Sequence, residues 1–255
     1  MTELARRVDC QWLDRQDPIY QAEGDARFSV DGDTPETETH SQRLKAVRSW
    51  HRALQQLTAD EEGARAWRHA RTEFASKLGE ALAGGTERQG PVTGPVLYGV
   101  WLRSGLLYVG QTTRAQRRLR DLPIGESHHL ANTFPPEIWH RVLVLMWPAL
   151  PEAAKLPEDI SLEVAGLALE HRLQGWLRPL ANCEHRTRRG GWRNVSFETS
   201  KSQGAKAAPR IDQLFAAVQK VWESAASSDA EEMQHPAIRS VNPGTFLPTI
   251  LGAVS

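Results

Sequence analysis

Residues 96–112 read VLYGVWLRSGLLYVGQT, two short runs of β-branched, aromatic and leucine residues around Arg103, Ser104 and Gly105. Such runs on either side of a glycine-containing break predict a tight β-hairpin, with strands at 96–102 and 106–112. Toward the C-terminus, residues 114–122 are expected to form a short helix and 138–147 a third strand closed by Pro148. Residues 160–178 are expected to form a longer helix, because Leu162, Gly166, Leu169, Leu173 and Trp176 recur on one face and Pro179 ends it. The order strand, strand, helix, strand, helix implies an α+β fold with a small three-stranded mixed or antiparallel sheet flanked by helices.

Toward the N-terminus the periodicity becomes helical. Leu44, Val47, His51, Leu54 and Leu57 form one apolar stripe, and Trp67, Ala70, Phe74, Leu78 and Leu82 form another that begins after Asp60, Glu61 and Glu62 and stops at Gly84-Gly85. This reads as an antiparallel helical pair. Ahead of it, DGDTPETETHSQ (31–42) is acidic and aperiodic, a loop or linker. Beyond Gly190-Gly191, Pro209 opens an amphipathic helix with Ile211, Leu214, Phe215, Val218, Val221 and Trp222 on one side, and a Pro-rich tail wraps the body. The division expected is 1–90, a helical extension with an acidic linker; 91–195, a central domain; and 196–255, a C-terminal helix and tail.

Composition narrows the function. The 255 residues carry 31 Lys plus Arg against 31 Asp plus Glu, so neither a histone-like nor an acidic tail protein is indicated. The charge is uneven: residues 91–195 hold thirteen basic and nine acidic side chains. The positive charge gathers at Arg114, Arg117, Arg118 and Arg120, and again at His185, Arg186, Arg188, Arg189 and Arg193 beside Trp192. Two basic clusters in a neutral chain suit a polyanion held at one face. The longest apolar run, 142–150, contains Pro148 and falls far below the roughly 20 residues of a membrane helix, and the N-terminus lacks a secretory pattern, so the expectation is a cytoplasmic protein without a membrane partner. Cys10 and Cys183 are far apart and outside any CxxC pair, which supports neither a disulfide framework nor a zinc site.

Phosphate loops, dinucleotide fingerprints, HExxH and the GxSxG elbow are absent from the sequence. What stands out is a spacing: Tyr98 on the first strand, Tyr108 with Val109 and Gly110 ending the second, Arg118 eight residues later, then Glu170 with Asn182 twelve residues beyond it. The segments VLYGVW, LYVGQTTRAQRRLRDL and LALEHRLQGWLRPLAN together resemble the GIY-YIG nuclease family over roughly residues 94–185. The resemblance implies that family's small sheet flanked by helices and a metal-dependent endonuclease acting on DNA. It implies Tyr98, Tyr108, Arg118, Glu170 and Asn182 as site residues, with one Mg²⁺ or Mn²⁺ ion on Glu170.

Phosphodiester hydrolysis makes these residue types intelligible. It needs an activated water, positive charge against the developing phosphate oxygens, and help for the departing alkoxide. A carboxylate suits a hard cation that keeps most of its waters, and an arginine fork suits the scissile phosphate. By the resemblance Tyr98 orients or activates the water beside Tyr108, and as a base it needs nearby positive charge, since a free tyrosine titrates near ~10. Asn182 positions either the site backbone or the carboxylate. Glu163 is a rival ligand one heptad before Glu170, and Arg117 and Arg120 rival Arg118. Three departures from the family pattern stand: Val96 replaces a glycine, the hairpin between the tyrosine strands is short, and Leu122 occupies the position of a frequent histidine, for which His128 or His129 is the substitute on offer.

The helical pair and the basic residues Arg114, Arg117, Arg186, Arg188, Arg189 and Arg193, with Trp192 for stacking, are the candidate DNA contacts. A nuclease of this size fits a restriction or phage-defence role, with a homodimer expected where one site cuts one strand. The alternatives are a structure-specific repair or recombination nuclease, or a non-catalytic nucleic-acid-binding module on the same fold.

Overall fold

The computed structural model describes Arg48, Gln55, residues 60–86, 89–125, 130–182, Trp192, and residues 202–227 and 235–248. Of the first expected N-terminal helix, only Arg48 and Gln55 fall within these, and both are helical and exposed. The second is α1, Glu61–Ala83. Asp60 caps it by accepting from the Gly63 N–H at 2.6 Å, and Glu61 and Glu62 sit at the positive end of its dipole. Ala70, Phe74, Leu78 and Leu82 form its buried stripe.

The hairpin forms where the residues predicted it: β1 is Val96–Leu102 and β2 is Gly105–Thr112. Helix α2 covers Ala115–Asp121, α3 Leu130–Thr133, β3 Arg141–Leu145 and α4 Leu162–Leu177. Then come α5 (Gln203–Ala207), α6 (Asp212–Ser227) and β4 (Ile238–Val241). The strand at 138–147 is shorter than expected because prolines draw both ends into 3-10 turns, Pro136–Ile138 and Trp147–Ala149. Likewise Pro209 belongs to a 3-10 turn, and α6 begins after it. Leu162, expected on the buried face of α4, is 48 % exposed at the helix start.

The sheet corrects the expected strand number. It has four strands in the order β2-β1-β3-β4, every neighbouring pair antiparallel. The fourth comes from the tail read as wrapping the body; Val142 to Leu145 pair with Val241 to Ile238. Strand alternation gives the sheet two faces. Val96, Tyr98 and Val100 pack with Phe74, Leu78 and Leu82 of α1 and with Leu119 of α2. Leu97, Val109, Leu143 and Leu145 pack with Leu169 and Leu173 of α4 and with Leu214, Val218 and Trp222 of α6.

The β1–β2 ladder contains one irregularity. Leu102 pairs with Gly105 and Trp101 with Leu106, but Val100 pairs with Tyr108, so Leu107 is an extra residue on β2. This bulge turns Tyr108 onto the α1 and α2 face, where Tyr98 also lies.

Candidate active site

Tyr98 stands at the centre of β1, opposite Gly110. Its side chain is 1 % exposed, and its ring lies 6.0 Å from that of Tyr108 at an interplanar angle of 32°. The contact requires glycine at 110, because a Cβ there would stand 2.6 Å from the Tyr98 hydroxyl and 2.7 Å from the Tyr108 ring. Gly110 thus leaves room for the two tilted phenol rings.

Arg118 comes to the site on α2, which is held by close backbone packing on α1. A Cβ on Gly79 would stand 2.6 Å from the Arg120 carbonyl oxygen, so only glycine lets the two helices approach this closely. The neighbouring arginines separate as helical geometry dictates. Arg117 reaches Asp121 at 3.6 Å, Arg120 reaches Glu80 at 3.0 Å, and the half-buried Arg118 is the α2 arginine whose charge acts on Tyr98. Arg114 precedes α2 and is exposed, like Arg117.

Glu170 comes from α4, whose start is fixed by Ser161 accepting from the Val164 N–H at 3.2 Å. Its end is a left-handed Arg178 (φ 49°) ahead of Pro179. Glu170 is half-buried and its charge also reaches Tyr98, while Glu163 is exposed one heptad earlier. Burial, then Tyr108, Glu170 and a hydrogen bond to the Tyr108 side chain, push the Tyr98 hydroxyl well above the ordinary tyrosine range, against the opposing pull of Arg118. Tyr98 is therefore a neutral phenol here, suited to orient a neighbour by hydrogen bonding.

Asn182 is buried, and its amide closes the edge of β2. Its Oδ1 accepts from the Val109 N–H at 3.0 Å, and its Nδ2 donates to the Val109 carbonyl at 2.9 Å. Next to it, the Leu180 and Ala181 N–H groups donate to the carbonyls of Leu106 and Leu107. Of the two roles open to Asn182, these bonds are to backbone. The carboxylate is met by a residue the spacing did not single out: Gln174, 5 % exposed, whose Nε2 donates to Glu170 Oε1 at 3.2 Å and to the Val109 carbonyl at 3.0 Å. Its only signal in the sequence is an amide one helical turn after Glu170, beside Leu173 in an apolar stripe.

His128, His129, Arg186, Arg188, Arg189, Arg193, Cys10 and Cys183 lie outside the described residues; Trp192 lies within them and is half-buried. Among the described residues there is no group of three or more His, Cys, Asp and Glu side chains able to hold a metal ion. Glu170 is the carboxylate whose charge reaches Tyr98. Among those residues, too, no helix is long and apolar enough to cross a membrane. The chain matches no known family model, no curated protein and no solved structure.

Proposed function

We propose that this chain is a metal-dependent DNA endonuclease that hydrolyses phosphodiester bonds through a GIY-YIG-type site. One observation carries the reading. Arg118 and Glu170, on separate helices and far apart in sequence, both act electrostatically on the buried Tyr98 hydroxyl, to which Tyr108 is hydrogen-bonded. Convergence of a cation, a carboxylate and two phenols is what the chemistry requires.

In this reading the Arg118 guanidinium binds the scissile phosphate and faces the charge that grows on its oxygens as water adds and the sugar oxygen departs. Tyr108, half-buried, touches the reacting water, and Tyr98 orients Tyr108 from below. Glu170 would hold one Mg²⁺ or Mn²⁺, a fit that rests on the donor type: a single carboxylate suits a hard cation that retains most of its waters. When bound, that ion supplies Lewis acidity at the phosphate. Arg114 and Arg117, exposed at α2, are positioned to hold flanking phosphates. A restriction or phage-defence role, exercised by a homodimer, is the biological form this proposal takes.

The test is plasmid cleavage in Mg²⁺ or Mn²⁺ by the protein and by Glu170→Ala and Arg118→Ala. Each variant is expected to lose cleavage by about 100-fold or more while retaining DNA binding in a mobility-shift assay. Binding without cleavage by all three proteins would instead make the chain a nucleic-acid-binding module.

A further inference from the structure

Gln174 is the buried polar group of α4 that the roles above leave without a task. Burying an amide costs several kcal/mol unless its hydrogen bonds are made, and an apolar residue of the same length would pack beside Leu173 without that cost. The Val109 carbonyl does not require it, since Asn182 already donates there at 2.9 Å. What Gln174 adds is the second proton of its Nε2, given to Glu170 Oε1 at 3.2 Å, while the first is held by Val109 at 3.0 Å. The amide nitrogen is thereby fixed to the backbone of β2 one residue before Gly110, and the carboxylate is fixed to the amide nitrogen.

We propose that Gln174 is a positioning residue, whose amide spans the Val109 carbonyl and Glu170 Oε1 and so sets the Glu170 carboxylate in the orientation that receives a divalent cation. The proposal rests on the nuclease reading above and deepens it. A helix side chain carrying a carboxylate has several rotamers, and a cation held by one such group loses affinity for each that points away. The bond from Gln174 selects one of them and ties it to the strand that carries Tyr108 and Gly110. Asn182 donates to the same carbonyl and so reinforces the anchor. Outer groups that orient a ligand in this way commonly contribute about 10- to 100-fold in metal affinity or activity.

The experiment compares the full chain with Gln174→Met, which keeps length and removes both donors, and with Gln174→Asn, which keeps an amide too short to span both acceptors. Mn²⁺ binding to each DNA-free protein is followed by electron paramagnetic resonance, plasmid cleavage is measured across Mn²⁺ concentrations, and folding is followed by thermal melting. Both variants are expected to need about 10- to 100-fold more Mn²⁺ for half-saturation in both assays, with saturating Mn²⁺ recovering most of the cleavage rate. A lowered melting temperature with unchanged Mn²⁺ dependence would reduce Gln174 to a structural residue and overturn the proposal while leaving the nuclease reading intact. If Gln174→Met fails to fold, Gln174→Asn carries the same decision. Absence of both Mn²⁺ binding and cleavage in the unaltered chain would overturn the nuclease reading itself, and this proposal with it.

Discussion

The two edge strands of the sheet are fastened to their surroundings by different chemistry. At the β2 edge the closure is neutral: the Asn182 amide both donates to and accepts from Val109, and Gln174 adds a second donor. On β4, the opposite edge strand, Arg239 is buried at 4 % exposure and donates to the carbonyls of Leu82, Gly84 and Gly90, at and beyond the end of α1. Gln89 adds a bond to the Ile238 carbonyl at 2.8 Å. The end of a helix offers only acceptors and the negative pole of its dipole, so an all-donor cation answers it. A strand edge offers a donor and an acceptor together, and here it runs beside a carboxylate. A charged residue in the position of Asn182 would leave one partner unmet and disturb the field at Glu170, whereas an amide does neither. A cation thus fastens β4 to the end of α1, while neutral amides hold β2 beside Glu170.

Three substitutions sharpen this contrast, taken in order of expected effect. Arg239→Met removes the donors under α1, and at about 1.5–3 kcal/mol for a hydrogen bond from a charged group the chain should lose about 3 kcal/mol or more. Urea unfolding checks this, and cleavage per folded molecule should stay unchanged. Asn182→Asp places a group that can donate to the Val109 carbonyl only when protonated, and burial beside Glu170 further disfavours its ionised form, so its pKa in the folded chain lies above its unfolded value. Its contribution is present below about pH 4 and lost as pH rises through the folded value. The variant should approach the parent near pH 4 and fall short by about 1–3 kcal/mol at pH 7, with a parallel loss of cleavage. Equal unfolding midpoints at pH 7 would remove the argument for a neutral edge.

Glu137→Gln supplies the control away from both edges. Glu137 is paired with Arg71 at 3.0 Å, and burial raises its pKa despite that cation. Its folded value therefore exceeds the unfolded one, and the stability it contributes is complete below about pH 4.3 and declines as pH rises through the folded value. Relative to the parent, the glutamine variant should gain stability as pH goes from 4 to 7. Urea midpoints at the two pH values read the sign directly.

The hairpin, α1, α4 and α6 were legible because each carries its own local signal, a β-branched run or an apolar stripe of one period. Strand β4 was not: Ile238–Val241 is four residues in a Pro-containing tail, and it becomes a strand only by pairing with β3 far upstream. Spacing left three arginines on α2 as rivals, and only the structure shows Arg117 reaching Asp121 and Arg120 reaching Glu80. Gln174 escaped notice because its partners are a backbone carbonyl and an oxygen one turn away, neither of which leaves a pattern in residue types. The need for glycine at 110 was equally hidden, since the atoms that crowd it include those of the cross-strand Tyr98 ring.

The extra Leu107 has an arithmetic consequence. A two-residue turn at Arg103 and Ser104, continued without interruption, would set Tyr108 across from Gly99, on the side of Trp101 and Trp222; the inserted residue changes that odd offset to an even one. A three-residue turn with an unbroken ladder would give the same offset. Relatives of this chain are thus free to exchange bulge for turn length, and what they have to conserve between the two tyrosines is a count.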